Sequence, residues 1–259
     1  MVVNLIEWSN KLLEAETTCQ GIEPISKVVK SFTLKDAYYI QLETIHAKLA
    51  SGQKITGKKI GLTSLAMQQL LKVGEPDYGH LLDSMEVLDG KVKRDSFLLP
   101  RVEGEIAFVL KESLKGPHIT TEDVIKATDY VMASIEIVDS RVKDWKIKLE
   151  DTVADNASSG KYVLGLVQRK IHEVDLPNIE MKLFKNGHLV NEGKGEAALG
   201  NPASCVAWLA NRLADFHIEL NAGEVILSGA LSAAVDAEQG DVFTADFGDV
   251  LGKVEVSFI

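Results

Sequence analysis

The chain has 259 residues with 38 acidic and 28 basic side chains, a formal net charge of -10, and hydrophobic residues at 46%. This composition predicts a globular protein with a substantial core and excludes an intrinsically disordered chain, while the negative charge disfavours a nucleic-acid partner bound through phosphate neutralisation. It has no run approaching about 18 apolar residues, no basic leader and only two separated cysteines, Cys19 and Cys205, so we expect a cytoplasmic protein without a disulfide framework or a thiolate zinc site.

The opening third of the chain is predicted to be mainly helical. Apolar residues recur at helical spacing over residues 5–12 and again over residues 38–49. Thr33 followed by Asp36 forms a capping-box start for the second of these helices. A further helix is predicted over residues 64–71, inside a stretch of mixed pattern.

From about residue 98 onward the pattern is typical of strands. Runs rich in β-branched and apolar residues occupy residues 102–110, 133–138, 161–166, 179–184, 225–227 and 254–258. Two predicted helices interrupt them, at residues 121–130 and 203–213. Asn186-Gly187 predicts a type I′ hairpin. The chain is therefore of the α+β class, with a helical N-terminal lobe at residues 1–90 and a mainly β catalytic domain at residues 91–259 that forms a barrel or sandwich.

Three acidic residues fall inside two of the predicted strands. Glu103 and Glu105 lie on one face of a strand, about 6.6 Å apart along the backbone. At that distance two carboxylates repel by roughly 2 to 3 kcal/mol at an effective dielectric near 20. Glu136 stands among β-branched neighbours of the next strand, where an unpaired charge is costly. A shared Mg²⁺, Mn²⁺ or Ca²⁺ ion would satisfy all three, and no histidine or cysteine accompanies them.

An ordinary structural interpretation of the same residues is equally open. Glu103 and Glu105 could form the solvated face of an edge strand. Glu136 could pair with Arg141 or with a lysine. The strand pattern alone favours neither this interpretation nor the metal site.

Six segments of the chain carry more specific information. They are GKKIGLT at residues 57–63, PDYG at 76–79, EGEIA at 103–107, EIVDSR at 136–141, DTVADNAS at 151–158 and GEAALGNP at 195–202. In these segments, in this order and over essentially its whole length, the chain resembles the hydratase and decarboxylase branch of the fumarylacetoacetate hydrolase superfamily. Within that branch it is most similar to the 2-hydroxypenta-2,4-dienoate (2-keto-4-pentenoate) hydratases.

The resemblance implies a mixed β-roll or barrel core of the fumarylacetoacetate hydrolase C-terminal type. It implies that Glu103, Glu105 and Glu136 bind Mg²⁺ or Mn²⁺. The expected partners are a small 2-keto-enoate acid as substrate, further copies of the chain in a homo-oligomer and, as an alternative, a sister enzyme of the same pathway. Neither nucleic acid nor a membrane is an expected partner.

The resemblance also implies three catalytic residues, Lys59, Asp77 and Ser158. Lys59 would orient or protonate the enol or enolate, Asp77 would act as general acid and base on water, and Ser158 would hydrogen-bond the substrate oxygens. Each has an ordinary alternative. Neighbouring lysines such as Lys58-Lys59 are typical of a solvated surface, and an aspartate after Pro76 is typical of a turn. Ser158, like Asn156, could be a loop or cap residue.

The implied reaction adds water to 2-hydroxypenta-2,4-dienoate to give 4-hydroxy-2-oxopentanoate in the meta-cleavage catabolism of aromatic compounds. The main alternative is 4-oxalocrotonate decarboxylase of the same pathway. The hydratases carry an acid in PDxG where the decarboxylases carry an apolar residue, so Asp77 favours hydration. A carbon–carbon bond hydrolase is less favoured because His80, the histidine nearest the proposed site, is better explained by packing, and a non-catalytic partner subunit is less favoured because the site residues are intact.

Overall fold

The computed structural model describes residues 3–64, 68 and 73–259. Its α-helices are α1 (Leu5–Thr18), α2 (Ile25–Val28), α3 (Leu34–Ala50), α4 (Thr121–Ala127), α5 (Leu149–Ala154), α6 (Pro202–Leu213) and α7 (Gly248–Leu251). Its strands are β1 (Ile55–Gly61), β2 (Asp77–Leu82), β3 (Lys91–Val92), β4 (Arg101–Leu110), β5 (Thr128–Val138), β6 (Ser159–Leu164), β7 (Glu180–Lys185), β8 (His188–Lys194), β9 (Val225–Leu227), β10 (Val235–Asp236), β11 (Val242–Asp246) and β12 (Lys253–Phe258). None of the helices in this described part has the length and hydropathy of a membrane span.

Two mixed β-sheets form the centre of the fold. The first has the strand order β2-β1-β9-β4-β5-β6, with β10 paired to the start of β4, and the second has the order β3-β12-β11-β7-β8. β1 runs parallel to β9, and β12 runs parallel to β3. Buried side chains from both sheets and from α6 share one hydrophobic core. The α+β class with a mixed β-roll core is thereby confirmed.

The two faces of β4 have opposite roles. Alternation along the strand places Glu103 and Glu105 on one face and Gly104 and Ile106 on the other. Ile106 is fully buried in the core shared by the sheets. A Cβ atom on Gly104 would lie 2.9 Å from the sulfur of Met181 on β7, so the missing side chain allows the second sheet to approach closely. The acidic pair is consequently directed away from the hydrophobic core.

Local sequence signals account for several element boundaries. The capping box of Thr33 and Asp36 is present at the start of α3. Asn186 and Gly187 have positive φ angles of 53° and 77° between β7 and β8, as a type I′ turn requires. The helix predicted over residues 121–130 ends earlier, because Thr128 already pairs with β4 as the first residue of β5. The helix predicted over 64–71 lies outside the described residues, apart from residues 64 and 68.

The N-terminal helices anchor the strands that build the site. α1 packs against α3, and α3 packs against α5. Gln41 of α3 is fully buried, and its side-chain amide donates hydrogen bonds to the carbonyl oxygens of Tyr78 (2.9 Å) and Val153 (2.8 Å). β1 and β2 belong to the same sheet as β4. A division of the chain into folding units at residue 90 stays a prediction.

Replacement of Phe108 by alanine tests the assignment of the core. Phe108 is fully buried on β4. Phe108→Ala should lower the free energy of unfolding by about 3 to 5 kcal/mol, since it removes an aromatic ring from a close-packed interior. Urea denaturation measures this loss. Ile125→Ala, on the exposed side of α4, should change the same quantity by no more than about 0.5 kcal/mol, and equal losses in the two variants would contradict the assignment.

Candidate metal centre and active site

Three carboxylates converge on one point between β4 and β5. The antiparallel register places Glu103 directly opposite Glu136 and places Glu105 opposite Ser134, two residues further along. One carboxylate oxygen from each glutamate lies within 4.8 Å of the others. Glu105 and Glu136 are almost completely buried, and Glu103 is partly buried. The solvated edge-strand interpretation of these residues is therefore wrong.

Burial and mutual repulsion disturb the titration of this cluster. Burial, reinforced by Glu136, raises the pKa of Glu103 to about 7. Burial together with Glu136 and Glu103 raises the pKa of Glu105 well above its ordinary value, although the Gly229 amide donates a hydrogen bond to it at 2.9 Å. Glu136 Oε1 is buried without a hydrogen bond. Three clustered carboxylate oxygens, with no histidine or cysteine among them, fit a hard divalent cation.

Lys59 provides the positive charge beside these acids. Its Nζ atom lies 3.2 Å from Glu136 Oε1 and 3.3 Å from Glu136 Oε2. Although burial by itself lowers the pKa of Lys59, the surrounding carboxylates, Glu136 first among them, raise it above its ordinary value. Arg141 pairs elsewhere, with its Nε atom 2.6 Å from Asp155 Oδ1. Of the two partners considered for Glu136, the lysine is the one in contact.

The two neighbouring lysines of β1 point to opposite sides of the sheet. Lys58 donates hydrogen bonds of 2.8 and 2.6 Å to the two carboxylate oxygens of Glu224. Both lysines are buried, with relative exposures of 1% for Lys58 and 2% for Lys59. The interpretation of this pair as a solvated surface feature is wrong, because each ammonium group has a buried carboxylate partner.

Asp77 is the first residue of β2 and lies opposite Gly61 of β1. A Cβ atom on Gly61 would come within 2.2 Å of Asp77 Oδ1, so this glycine leaves room for the carboxyl group. Asp77 Oδ1 is buried without a hydrogen bond. Burial raises the pKa of Asp77, against the opposing effect of Lys59. These surroundings are those of a strand residue facing the site, so the alternative of a simple turn residue is wrong.

Ser158 ends a short turn of unusual backbone conformation. Asn156, Ala157 and Ser158 all have left-handed φ angles, of 53°, 51° and 52°. Ser158 Oγ lies 3.2 Å from Thr152 Oγ1. Three such residues in succession, none of them glycine, cost conformational energy and occur where surrounding contacts impose them.

One cavity of about 510 Å³ brings most of the sequence-predicted residues together. Lys59, Asp77, Glu103 and Ser158 line it, while Glu105 and Glu136 lie buried beside it. Other lining side chains were not predicted, and they include Val73, Trp145, Ile147, Lys148, Leu149, Glu150 and Thr152. Thr152 belongs to the DTVADNAS segment, which was a usable signal. The aromatic and aliphatic residues of 145–149 carry no comparable signal in the sequence.

His80 plays a structural part, as expected from its sequence position. It is 1% exposed, and its Nδ1 atom lies 3.2 Å from Gln41 Oε1. Burial, with the nearby Lys58, lowers the pKa of His80 to about 3, so the ring is neutral at ordinary pH. His80 is absent from the described lining of the cavity.

The chain matches the family described as fumarylacetoacetate (FAA) hydrolase C-terminal over residues 84–258, and it belongs to that family. It is 47% identical over 236 residues to a 2-hydroxyhexa-2,4-dienoate hydratase of Comamonas testosteroni, covering 90% of this chain and 89% of that protein. It is 45% identical over 214 residues to a 2-hydroxypent-2,4-dienoate hydratase of Pseudomonas putida, covering 82% and 96%. The solved structure of 4-oxalocrotonate decarboxylase from Pseudomonas putida G7, complexed with magnesium and adipate, superposes with a TM-score of 0.96 at 37% identity, covering 100% and 99%. The family resemblance drawn from the sequence is confirmed.

The affinity of the carboxylate cluster for Mn²⁺ should fall as the pH decreases from about 8 to about 6. Below its pKa of about 7, Glu103 holds a proton that a cation must displace. For each proton displaced, the apparent Kd rises about tenfold for every unit by which the pH falls below the pKa of the group. Isothermal titration calorimetry measures the affinity, and Glu103→Gln should weaken binding and flatten its pH dependence.

Because of the same carboxyl groups, we expect the cation to stabilise the folded protein by an amount that depends on pH. Their pKa values are raised by folding, so they favour the folded state when protonated, and this contribution is lost as the pH rises through those values. A bound cation offsets the repulsion between the ionised carboxylates and so restores the lost stability. Mn²⁺ should therefore raise Tm more at pH 8 than at pH 6. A Tm increase that is independent of pH would contradict the proton competition.

Proposed function

We propose that this protein is a divalent-metal-dependent hydro-lyase that adds water to 2-hydroxypenta-2,4-dienoate (2-keto-4-pentenoate) to give 4-hydroxy-2-oxopentanoate. The observation that carries the proposal is the convergence of three glutamates, Lys59 and Asp77 on one cavity. The hydratases at 45 to 47% identity support it. A place in the meta-cleavage catabolism of aromatic compounds follows from the same substrate class.

Glu103, Glu105 and Glu136 are the residues that would hold Mg²⁺ or Mn²⁺. When bound, either ion would supply Lewis-acid stabilisation of negative charge on the 2-oxygen of an α-keto acid. The magnesium in the decarboxylase structure supports a divalent ion of this kind. The remaining chemistry belongs to side chains of the chain itself.

Lys59 is suited to hold or deliver a proton at the enol end of the substrate. Its ammonium group is buried against Glu136, and the neighbouring carboxylates keep it protonated by raising its pKa. A buried ammonium group with one carboxylate partner retains further N–H donors for a substrate oxygen. Lys59 would therefore orient the enol or enolate through these donors, or protonate it during ketonisation.

Asp77 is suited to general acid and base chemistry on water. Its Oδ1 atom is buried without a hydrogen bond, and its raised pKa brings the carboxyl group closer to an operating pH near neutrality. Asp77 would accept a proton from water as its oxygen bonds to the far alkene carbon, and the enolate left on the substrate would take up a proton at carbon. Ser158, which lines the same cavity, would hydrogen-bond a substrate oxygen.

Decarboxylation of 4-oxalocrotonate is the second candidate function, favoured by the close superposition with that decarboxylase. Loss of CO₂ from a bound keto acid requires an electron sink and no activated water. A carboxyl group at position 77 with an oxygen that makes no hydrogen bond can accept a proton from water during hydration, but it has no role in the loss of CO₂. Hydration is therefore the better supported of the two reactions.

The proposal includes a homo-oligomer, with a complex between this chain and a sister enzyme of the pathway as the alternative assembly. Leu88 and Leu166 are 89% and 96% exposed in the single chain. Large apolar side chains of this kind are available for burial between subunits.

Removal of the metal tests the proposed reaction class. Protein treated with EDTA should lose hydration of 2-hydroxypenta-2,4-dienoate by at least about 100-fold, since the charge on the 2-oxygen is then unstabilised, and Mg²⁺ or Mn²⁺ should restore it. Product analysis by NMR should show 4-hydroxy-2-oxopentanoate. CO₂ release from 4-oxalocrotonate without any hydration product would select the decarboxylase instead, and full activity without metal would remove the cation from the mechanism.

Replacement of Asp77 by asparagine tests the role of its carboxyl group. Asp77→Asn keeps the size of the side chain but cannot exchange a proton, so kcat for hydration should fall by about 100- to 10,000-fold. Calorimetric Mn²⁺ affinity should stay close to that of the wild type. Asp89→Asn, at an exposed position, serves as the matched control and should keep full activity. Wild-type kcat in Asp77→Asn would exclude Asp77 from the chemistry.

A further inference from the structure

Asn156 connects β2 with the turn of residues 156–158 through its side-chain amide. The backbone N–H of His80 donates to Asn156 Oδ1 at 2.8 Å, and Asn156 Nδ2 donates to the His80 carbonyl at 2.9 Å. Both polar backbone groups of His80 are thereby satisfied by one side chain. His80 lies three residues beyond Asp77 on β2, and Asn156 lies two residues before Ser158.

β2 is an edge strand, since its one partner in the strand order of the described sheet is β1. An edge strand presents backbone N–H and C=O groups that no further strand satisfies, and burial of such groups without partners is costly. His80 is buried, so this cost would apply in full. The Asn156 amide takes the place of a neighbouring strand at this position. Its oxygen accepts a hydrogen bond from the His80 N–H, and its nitrogen donates one to the His80 carbonyl.

The contact between β2 and the turn is close enough to require glycine at position 79. A Cβ atom on Gly79 would lie 2.4 Å from the carbonyl oxygen of Asn156 and 2.7 Å from Ser159 Oγ. That carbonyl already accepts a hydrogen bond of 2.7 Å from Ser159. The PDYG segment therefore requires glycine at position 79 for close packing against the turn of residues 156–158, and not for forming a turn of its own.

The left-handed turn is held from its other side by a buried ion pair. Arg141 Nε donates a hydrogen bond of 2.6 Å to Oδ1 of Asp155, the residue that precedes the turn. The Ser158 amide donates to the Asp155 carbonyl at 2.9 Å, and the Ser158 carbonyl accepts from the Asp139 amide at 2.8 Å. These contacts hold the turn against β5 and its extension but make no connection to β2. Gln41 links Tyr78 of β2 to Val153 of α5, and the Asn156 amide connects the turn itself to β2.

We infer that Asn156 is a positioning residue that holds β2, and with it Asp77, in a defined place relative to the turn that presents Ser158. The inference rests on the proposed function, because the relative position of Asp77 and Ser158 matters only if both act on the same substrate. Loss of the amide pairing would leave the metal-binding strands β4 and β5 unchanged. It would alter the distance between Asp77 and Ser158, and displacements of about 1 Å are known to cost on the order of 100-fold in rate.

The chain contains a matched control for this inference. Asn211 of α6 makes the same pair of contacts with a different backbone residue: the Ile119 amide donates to Asn211 Oδ1 at 2.8 Å, and Asn211 Nδ2 donates to the Ile119 carbonyl at 2.9 Å. Neither residue lines the described cavity. Asn→Asp at either position replaces the Nδ2 donor by an oxygen that faces a carbonyl, so the same pair of hydrogen bonds is disturbed at two different places, of which position 156 is the more buried.

The test compares Asn156→Asp with Asn211→Asp in the metal-loaded protein. We expect kcat of Asn156→Asp to fall by about 10- to 100-fold, with KM and the Mn²⁺ affinity each changing less than about threefold. Asn211→Asp should show a comparable decrease in Tm but a kcat within about twofold of the wild type. Should Asn156→Asp not fold, Asn156→Gly removes the amide while tolerating the left-handed φ, and the same loss of kcat is expected.

Several outcomes would overturn the inference. Wild-type kcat in Asn156→Asp would show that the pairing does not position the site. Equal losses of kcat in both variants, or a parallel loss of Mn²⁺ affinity, would assign the effect to general destabilisation. A wild-type protein that is inactive on the dienoate but binds oxalate with Mn²⁺ would defeat the proposed function instead. The inference rests on that function and would fall with it, whereas wild-type kcat in Asn156→Asp would defeat the inference alone.

Discussion

Strand pairing brings three like charges together inside this protein, and the arrangement of the site depends on how that repulsion is relieved. The register of β4 and β5 leaves Glu103 and Glu136 opposite each other, with Glu105 adjacent. Burial, reinforced by this repulsion, raises the pKa values of Glu103 and Glu105. Protons, the ammonium group of Lys59 or a divalent cation can each relieve the repulsion. The site therefore responds to pH and to metal through the same atoms.

The surrounding structure makes room for this cluster by omitting side chains at selected places. Gly104 allows the second sheet to pack behind the acidic face of β4. Gly61 leaves space for the Asp77 carboxyl group, and Gly79 allows the left-handed turn to approach β2. In each case the glycine serves a close approach between elements that are distant in sequence. The same segments of the chain carry the family motifs, so these motifs have packing reasons as well as chemical ones.

A hydratase and a decarboxylase can share this framework because the chelating end of their substrates is the same. The superposition with the decarboxylase at a TM-score of 0.96 covers the entire chain, while hydratases are similar at 45 to 47% identity. The chemical difference lies in whether water is activated. A buried carboxyl group with a free oxygen, here Asp77, is a means of moving a proton to and from water. Under the proposed function, Asp77 is the side chain of the cavity wall that would favour hydration over decarboxylation.

The sequence by itself determined the α+β class, the capped start of α3, the Asn186-Gly187 hairpin and the common face of Glu103 and Glu105, because these features follow from local spacing and turn chemistry. Only the tertiary structure decided which cation faces Glu136, that adjacent lysines of β1 are both buried, and that the Asn156 amide pairs with the backbone of β2. Those contacts join residues far apart along the chain. They depend on strand order and register, which local periodicity does not encode.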